Sequence, residues 1–164
     1  MILKNGIFII GGAGFLGTRL NSRFDKKGQK IVRGDIALES HQENILQLDL
    51  ESPESLEQIR VASAIINLAA VHRDDIRPLS RYDDVNVQGS VNVCEAARKH
   101  DINKIIFTSS VAIYGFAPAD TDESGEPNYF NDYGRTKYLA EQVYKEWQAE
   151  DPENRTLVIV RPTV

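Results

Sequence analysis

Cysteine is nearly missing from this chain. Cys94 stands alone among 164 residues, which excludes an internal disulfide or a cysteine metal site and fits a reducing compartment. Histidine is almost as scarce, and His41, His72 and His100 are too widely spaced to make a ligand pattern, so no metal is expected. Positive charge is never clustered: 19 Lys and Arg face 24 Asp and Glu for a net charge of −5, which argues against a nucleic-acid partner. Long apolar runs are missing too. The first, Ile7 to Ile10, ends in glycines and is far too short for a membrane span or a signal peptide, so a cytoplasmic protein with no membrane partner is expected. Repeats, low-complexity tracts and linkers are also lacking. What remains, 41% hydrophobic and 26% charged, suits one soluble domain with a real core.

The residues present alternate between short apolar runs and helical periodicity. Ile7–Ile10 has the pattern of a strand buried on both faces, as in a parallel sheet. It runs into Gly11, Gly14 and Gly17, spaced to allow a tight strand-to-helix turn, close approach of backbone to a pyrophosphate, and close helix packing. Phe15, Leu16, Leu20 and Phe24 continue at helical spacing, the context a dinucleotide-binding turn requires. A second strand is predicted over Gln29–Arg33. Asp35 then lies about eighteen residues after Gly17, near the ~20 expected of a carboxylate holding an adenosine ribose. That carboxylate would repel a 2′-phosphate and favour NAD, although Arg33 keeps NADP open, and a plain turn aspartate is the alternative.

Ile45–Leu48 reads as a third strand, with Ser52 and Pro53 as N-cap and first residue of a helix. Asp49 either touches an adenine or belongs to the turn. Ala64–Ala70 reads as another buried strand, and its small residues either let a cofactor lie close or reflect tight helix packing. His72 and Arg73 leave it in a polar loop that meets a diphosphate or is simply solvated. Val87, Val91 and Cys94 recur at helical spacing, with Asn86 near the helix start as a cap or a bridge to a catalytic residue. Lys104–Phe107 is the next strand, and Thr108, Ser109 and Ser110 follow it either as hydroxyls in a ligand crevice or as a serine turn. A polar segment from Phe116 to Asp132 is long enough to be a functional loop. Thr156–Val160 is the final strand. The whole indicates an α/β fold with a doubly wound parallel sheet.

Tyr133 and Lys137 open the last helical run, beside an apolar stripe of Leu139, Val143 and Trp147. Residues four apart share a helix face, so the phenol and the ammonium reach one common point. Tyrosine titrates near pH ~10, and a fixed cation beside it is a direct way to make it a proton acceptor near neutrality. An ordinary amphipathic helix start is the alternative.

The ordered set of Gly11, Gly14 and Gly17, Asp35, Asn67–Ala70, Asn86–Gly89, Ser109–Ser110 before Tyr114–Gly115, and Tyr133 with Lys137 resembles the extended short-chain dehydrogenase/reductases. Within them it is similar to the NAD-dependent epimerase/dehydratase family that works on nucleotide sugars, and Arg161–Val164 resembles that family's nicotinamide-side strand end. The resemblance implies a Rossmann-like domain over residues 1–164, truncated before a C-terminal substrate domain. It implies Ser110 as catalytic hydroxyl, Tyr133 as base, and Lys137 as the residue that lowers the Tyr133 pKa and holds the nicotinamide ribose. Phe15, Leu16, Asp35, Asp49, Leu50, Leu68, Ala69, Ala70, His72, Asn86, Pro162 and Thr163 match positions that line the dinucleotide. Val111 and Ala112 stand where the family's 4,6-dehydratases carry an acidic pair, so dehydration lacks its acid and base. The implied function is epimerisation of a nucleotide sugar at C4 of a UDP-hexose, with NAD as cofactor, a homodimer at full length, and no turnover from this piece alone. A net reductase or dehydrogenase of a similar substrate, or a non-catalytic NAD-binding module, are the rivals.

Overall fold

The computed structural model of the chain describes residues 6–37 and 45–163, so His41 and Val164, both weighed above, lie outside the described residues. Among these residues six strands form one sheet: β1 (Ile7–Ile10), β2 (Ile31–Asp35), β3 (Ile45–Gln47), β4 (Ala64–Asn67), β5 (Lys104–Thr108) and β6 (Thr156–Val160). Every pairing is parallel, in the order β3-β2-β1-β4-β5-β6. Parallel neighbours need crossovers, and the main ones are α1 (Phe15–Lys26), α4 (Gly89–Lys99) and α5 (Asp132–Ala149). The chain winds outward from β1 to β3, then returns to lay β4 against the free side of β1. That reversal opens a crevice at the carboxyl ends of β1 and β4, where ligands of doubly wound sheets bind. The fold is thus the Rossmann-like one the sequence implied.

β1 has neighbours on both edges, with Ile9 opposite Arg33 on one side and Ile66 on the other. Its Phe8 and Ile9 are fully buried, which explains an apolar run without alternation. Leu56, Ile59, Val93, Ala140, Tyr144 and Trp147 close over the sheet in a single cluster with Phe8, Ile65 and Phe107.

Several boundaries differ from the sequence reading, each for a local reason. β2 starts at Ile31 because Gly28, at φ +65°, and Gln29 are used to end α1, their amides donating to Asp25 O and Phe24 O at 3.0 Å. Asp35 therefore closes β2 instead of following it. β4 stops at Asn67: the Leu68 amide still donates to Ile10 O at 2.9 Å, but the Asn67 Oδ1 accepts from the Ala69 amide at 3.1 Å and turns the chain out of the ladder there. β3 ends at Gln47, whereas Ser52 caps α2 (Pro53–Leu56) as expected, its hydroxyl accepting from the Ser55 amide at 3.2 Å. Asn86 does not sit at a helix start. It lies in a π-helical stretch (Asp83–Gln88) that joins α3 (Ser80–Tyr82) to α4 without a break.

No helix among the described residues is long and apolar enough to cross a membrane. No group of three or more His, Cys, Asp or Glu among them could hold a metal ion.

Candidate active site

A cavity of about 680 Å³ opens over the carboxyl ends of β1 and β4. At one end lies the glycine turn. Gly11 takes φ +80°, and a Cβ there would fall 2.8 Å from the Ala69 amide nitrogen. A Cβ on Gly17 would meet Gly11 O at 2.5 Å and Gly12 Cα at 2.7 Å, so this glycine lets α1 lie against the turn. Gly14 differs, because a Cβ there would touch only Gly11 O, at 3.4 Å. Gly14 is the N-cap of α1 and offers no side-chain cap, so the first amides of a twelve-residue helix start beside Phe15 and Leu16 at the cavity wall.

Asp35 lines the cavity next to this turn. Its Oδ2 accepts from the Ala13 amide at 2.9 Å and its Oδ1 from the Ala37 amide at 3.1 Å. The turn reading of Asp35 is the one these bonds show, and its lone pairs, roughly four in all, leave capacity for a further donor. Arg33 lies along the turn, its guanidinium 3.5 Å from Gly12 O. Asp49 is a turn residue too, accepting from the Glu51 amide at 2.9 Å, while it and Leu50 line the cavity floor. Leu68, Ala69, Ala70 and His72 form the wall above β4, and His72 sits 3.4 Å from Ala70 O. Arg73 is paired with Asp75 at 2.6 Å in solvent, so it belongs to the loop.

The other end carries the reactive side chains. β5 runs on past its last pair through Ser109, whose amide donates to Val160 O at 2.7 Å, to Val111, which donates to Pro162 O at 3.3 Å. This extension holds Ser110 in extended backbone and brings Pro162 to the cavity. The Ser110 hydroxyl caps the following 3-10 turn (Val111–Tyr114), accepting from the Ala112 amide at 3.1 Å, so the serine-turn reading also holds. Across from it, Asn131 caps α5 by accepting from the Gly134 amide at 2.8 Å. Gly134 lets the helix press onto the serine turn, since a Cβ there would fall 2.4 Å from Ala112 O. That contact sets Tyr133 beside Ser110.

Burial raises the Tyr133 pKa above its ordinary value, and the Ser110 hydroxyl works against that rise. Lys137 is 2% exposed; burial pushes it down to about 7, and Glu141 opposes the fall. The structure differs here from the sequence expectation that Lys137 depresses Tyr133. The lysine Nζ lies over the Phe107 ring, 4.2 Å from its centroid, and the rise of Tyr133 comes from its own burial, opposed by Ser110 and not by Lys137.

Two predicted residues do not line the cavity. Thr163 is exposed beyond Pro162. Asn86, 4% exposed, works from behind: its amide group holds Val71 through both N and O, at 2.8 and 2.9 Å, and donates to Thr136 Oγ1 at 3.0 Å. Its side-chain bonds go to Val71 and to Thr136, the neighbour of Lys137, and not to Ser110, Tyr133 or Lys137 themselves. Sequence reasoning missed Arg81, which lines the cavity while paired to Glu51 at 2.6 Å. Nothing in its sequence neighbourhood marks it.

An uncapped helix start, a turn packed backbone on backbone, a carboxylate ending β2 and a recessed hydroxyl–phenol–amine group fit a dinucleotide lying along the cavity. The sequence pattern of the NAD dependent epimerase/dehydratase family matches residues 7–164. Among curated proteins, the chain is 39% identical over 168 residues to the N-acetyl-alpha-D-glucosaminyl-diphospho-ditrans,octacis-undecaprenol 4-epimerase of Escherichia coli O157:H7, covering 99% of this chain and 49% of that protein. It is 29% identical over 155 residues to the UDP-glucose 4-epimerase of Rhizobium meliloti (strain 1021), covering 88% and 47%. Among solved structures, the UDP-glucose 4-epimerase from Brucella ovis in complex with NAD superposes with a TM-score of 0.86 at 26% identity, over 96% of this chain and 51% of that one. The chain spans about half the length of the curated relatives it matches.

Proposed function

Because the chain belongs to the NAD-dependent epimerase/dehydratase family, we propose that it carries the cofactor site and the proton-transfer residues of an NAD-dependent 4-epimerase of diphosphate-linked hexoses. One observation carries the reading. Ser110, Tyr133 and Lys137 meet at the same cavity as the glycine turn and Asp35, so proton-handling groups and a dinucleotide cradle share one space.

In this reading the α1 amides and the Gly11–Gly17 turn hold the pyrophosphate, Asp35 the adenosine ribose, and Lys137 the nicotinamide ribose. Leu50, Leu68, Ala69, Ala70 and Pro162 line the dinucleotide's path. NAD, when bound, supplies a two-electron acceptor that is restored within each turnover. Tyr133 takes the proton from the sugar hydroxyl at C4 through its phenolic oxygen, and Ser110 hydrogen-bonds the same substrate oxygen. Burial around both excludes water from that oxygen. Val111 and Ala112 offer no acid or base after Ser110, which favours epimerisation over dehydration.

A nucleotide sugar, UDP-hexose above all, is the substrate named for most of the relatives. A hexose on a polyprenyl diphosphate is the second reading, favoured by the 39% identity to the undecaprenol-linked epimerase. Both present a sugar 1-diphosphate. The test is to offer the complete protein, loaded with NAD, UDP-hexoses and a polyprenyl-diphospho-hexose and to follow both product and NADH. Interconversion of C4 epimers without net NADH supports the proposal, and stoichiometric NADH formation or consumption replaces it with a net dehydrogenase or reductase.

A further inference from the structure

Behind the catalytic pair lies a buried ionic group that none of the preceding chemistry uses. Glu141 is one helical turn beyond Lys137 on α5, in the same line as Tyr133, and is fully buried. Arg161, just past β6, grips it with both arms, Nε to Oε1 at 2.9 Å and Nη2 to Oε2 at 2.7 Å. The same guanidinium reaches the Tyr114 hydroxyl and, at 3.1 Å, the Glu123 carbonyl. One carboxylate thus ties the helix of Tyr133 and Lys137 to the residue before Pro162 and to the end of the turn that starts at Ser110. A buried ion pair is a costly way to brace a fold, since an apolar pair of the same volume often does as well. Its retention beside a buried amine points to electrostatic work.

We infer that Glu141 is a positioning residue for catalysis: its fixed, buried negative charge one turn behind Lys137 favours the ammonium form of that side chain.

The surroundings of Lys137 leave Glu141 that task. On its own helix the ionisable groups four or seven residues away, on its face, are Tyr133 on the cavity side, Glu141 behind it, and Tyr144 behind the Phe107 ring. From β5 it meets that ring, with the uncharged Ser109 and Ser110 beyond. From β6 comes Arg161, and from the outer end of α5 Lys145, 3.6 Å from Glu141; both are cations spent on Glu141, and Tyr114 is spent on Arg161. Among these described groups Glu141 is the one opposing the desolvation of Lys137. Arg161 and Lys145 in turn hold Glu141 ionised although it is buried. The inference rests on the catalytic placement of Lys137 proposed above but not on which reaction follows.

The test reads the lysine directly. In the complete protein labelled with ¹³C at lysine Cε, the Lys137 signal, identified by its loss in Lys137→Arg, is followed against pH. The wild type should titrate near 7, because burial pushes the ammonium down that far. Glu141→Gln keeps shape and hydrogen bonding and removes the charge, so the midpoint should fall by about one pH unit or more. Glu141→Asp should restore most of that shift. A folded Glu141→Gln protein with an unmoved midpoint overturns the inference and makes the pair a brace alone. If Glu141→Gln does not fold, the apolar pair Glu141→Leu with Arg161→Met decides: it removes the carboxylate without leaving Arg161 unpaired, so the Lys137 midpoint should again fall, and an unmoved or raised one overturns the inference. The titration is independent of turnover, so an epimerase assay that fails leaves this result standing.

Discussion

The two ends of the cavity solve different problems with different materials. The end under α1 is made of backbone: three glycines, helix amides and a carboxylate that is itself hydrogen-bonded to amides. The end under α5 is made of buried side chains, Lys137, Glu141, Tyr144 and Asn86, each held by another side chain or ring. The backbone part of the α1 end is indifferent to pH, because amides do not titrate. A side-chain site is tuned by its neighbours' charge and loses its tuning one substitution at a time. In the proposed function, pyrophosphate binding falls mainly on backbone that cannot change state, and proton transfer on side chains that must.

The largest test of that division is Tyr133→Phe in the complete protein. It deletes a proton acceptor and keeps the ring packing, so turnover should drop by roughly 10²–10⁴ while calorimetry finds NAD affinity changed less than about threefold. Loss of affinity on the same scale would erase the distinction between the two ends. Gly17→Ala attacks the other end, with its Cβ 2.5 Å from Gly11 O, a backbone atom that cannot swing aside. Stability should fall by about 2–4 kcal/mol in urea unfolding, with cofactor affinity falling alongside it. A tolerated alanine would show the turn to be looser than its contacts imply.

Cofactor choice comes next. Asp35 should make NAD bind on the order of a hundredfold tighter than NADP, since a 2′-phosphate loses the ribose hydrogen bonds and meets a like charge. Equal affinities by calorimetry would mean that Arg33 serves the phosphate and Asp35 only the turn. The smallest effect is the cleanest contrast, the pH dependence of stability. The folded Lys137 value, about 7, lies below the ordinary 10.5, so above pH 7 the unfolded chain holds a proton that the folded chain has released. Stability from this group therefore rises with pH. Between pH 7 and pH 9 the wild type should gain about 2 kcal/mol relative to Lys137→Met in parallel denaturant titrations. A constant difference across that window would show Lys137 titrating normally.

How far the sequence could be read follows the same line. The glycine turn was legible because only glycine fits a left-handed or backbone-crowded position, so its chemistry is written in one letter at fixed spacing. All six strands were legible from their apolar runs, with the ends of β2 and β4 displaced where Gly28 and Asn67 redirect the backbone. Tyr133 and Lys137 were legible as residues but not as an electrostatic system. Helical spacing puts Lys137 near Tyr133, yet the ring of Phe107, thirty residues earlier in sequence, decides where the ammonium rests. Arg81 and the π-helical stretch left no trace at all, because a wider helical turn needs no special residue and an arginine gains its meaning only from Glu51 across the fold.

Gly115 sets a rule for exchanging parts between related chains. At φ +59° it turns the chain into the segment 116–131, and a side chain there would run into Asn128 O at 2.0 Å. The segment is stitched at its base, Asn128 N to Ile113 O at 2.8 Å, and again in its middle, where Arg161 reaches Glu123 O. A chimaera that imports a relative's version should therefore cut before Gly115 and after Asn131, so that Asn128 N and Glu123 O travel together and meet Ile113 and Arg161 of the host. Cuts inside that span would join a loop to a base that no longer closes it, and the first casualty would be the alignment of the serine turn with the helix it faces.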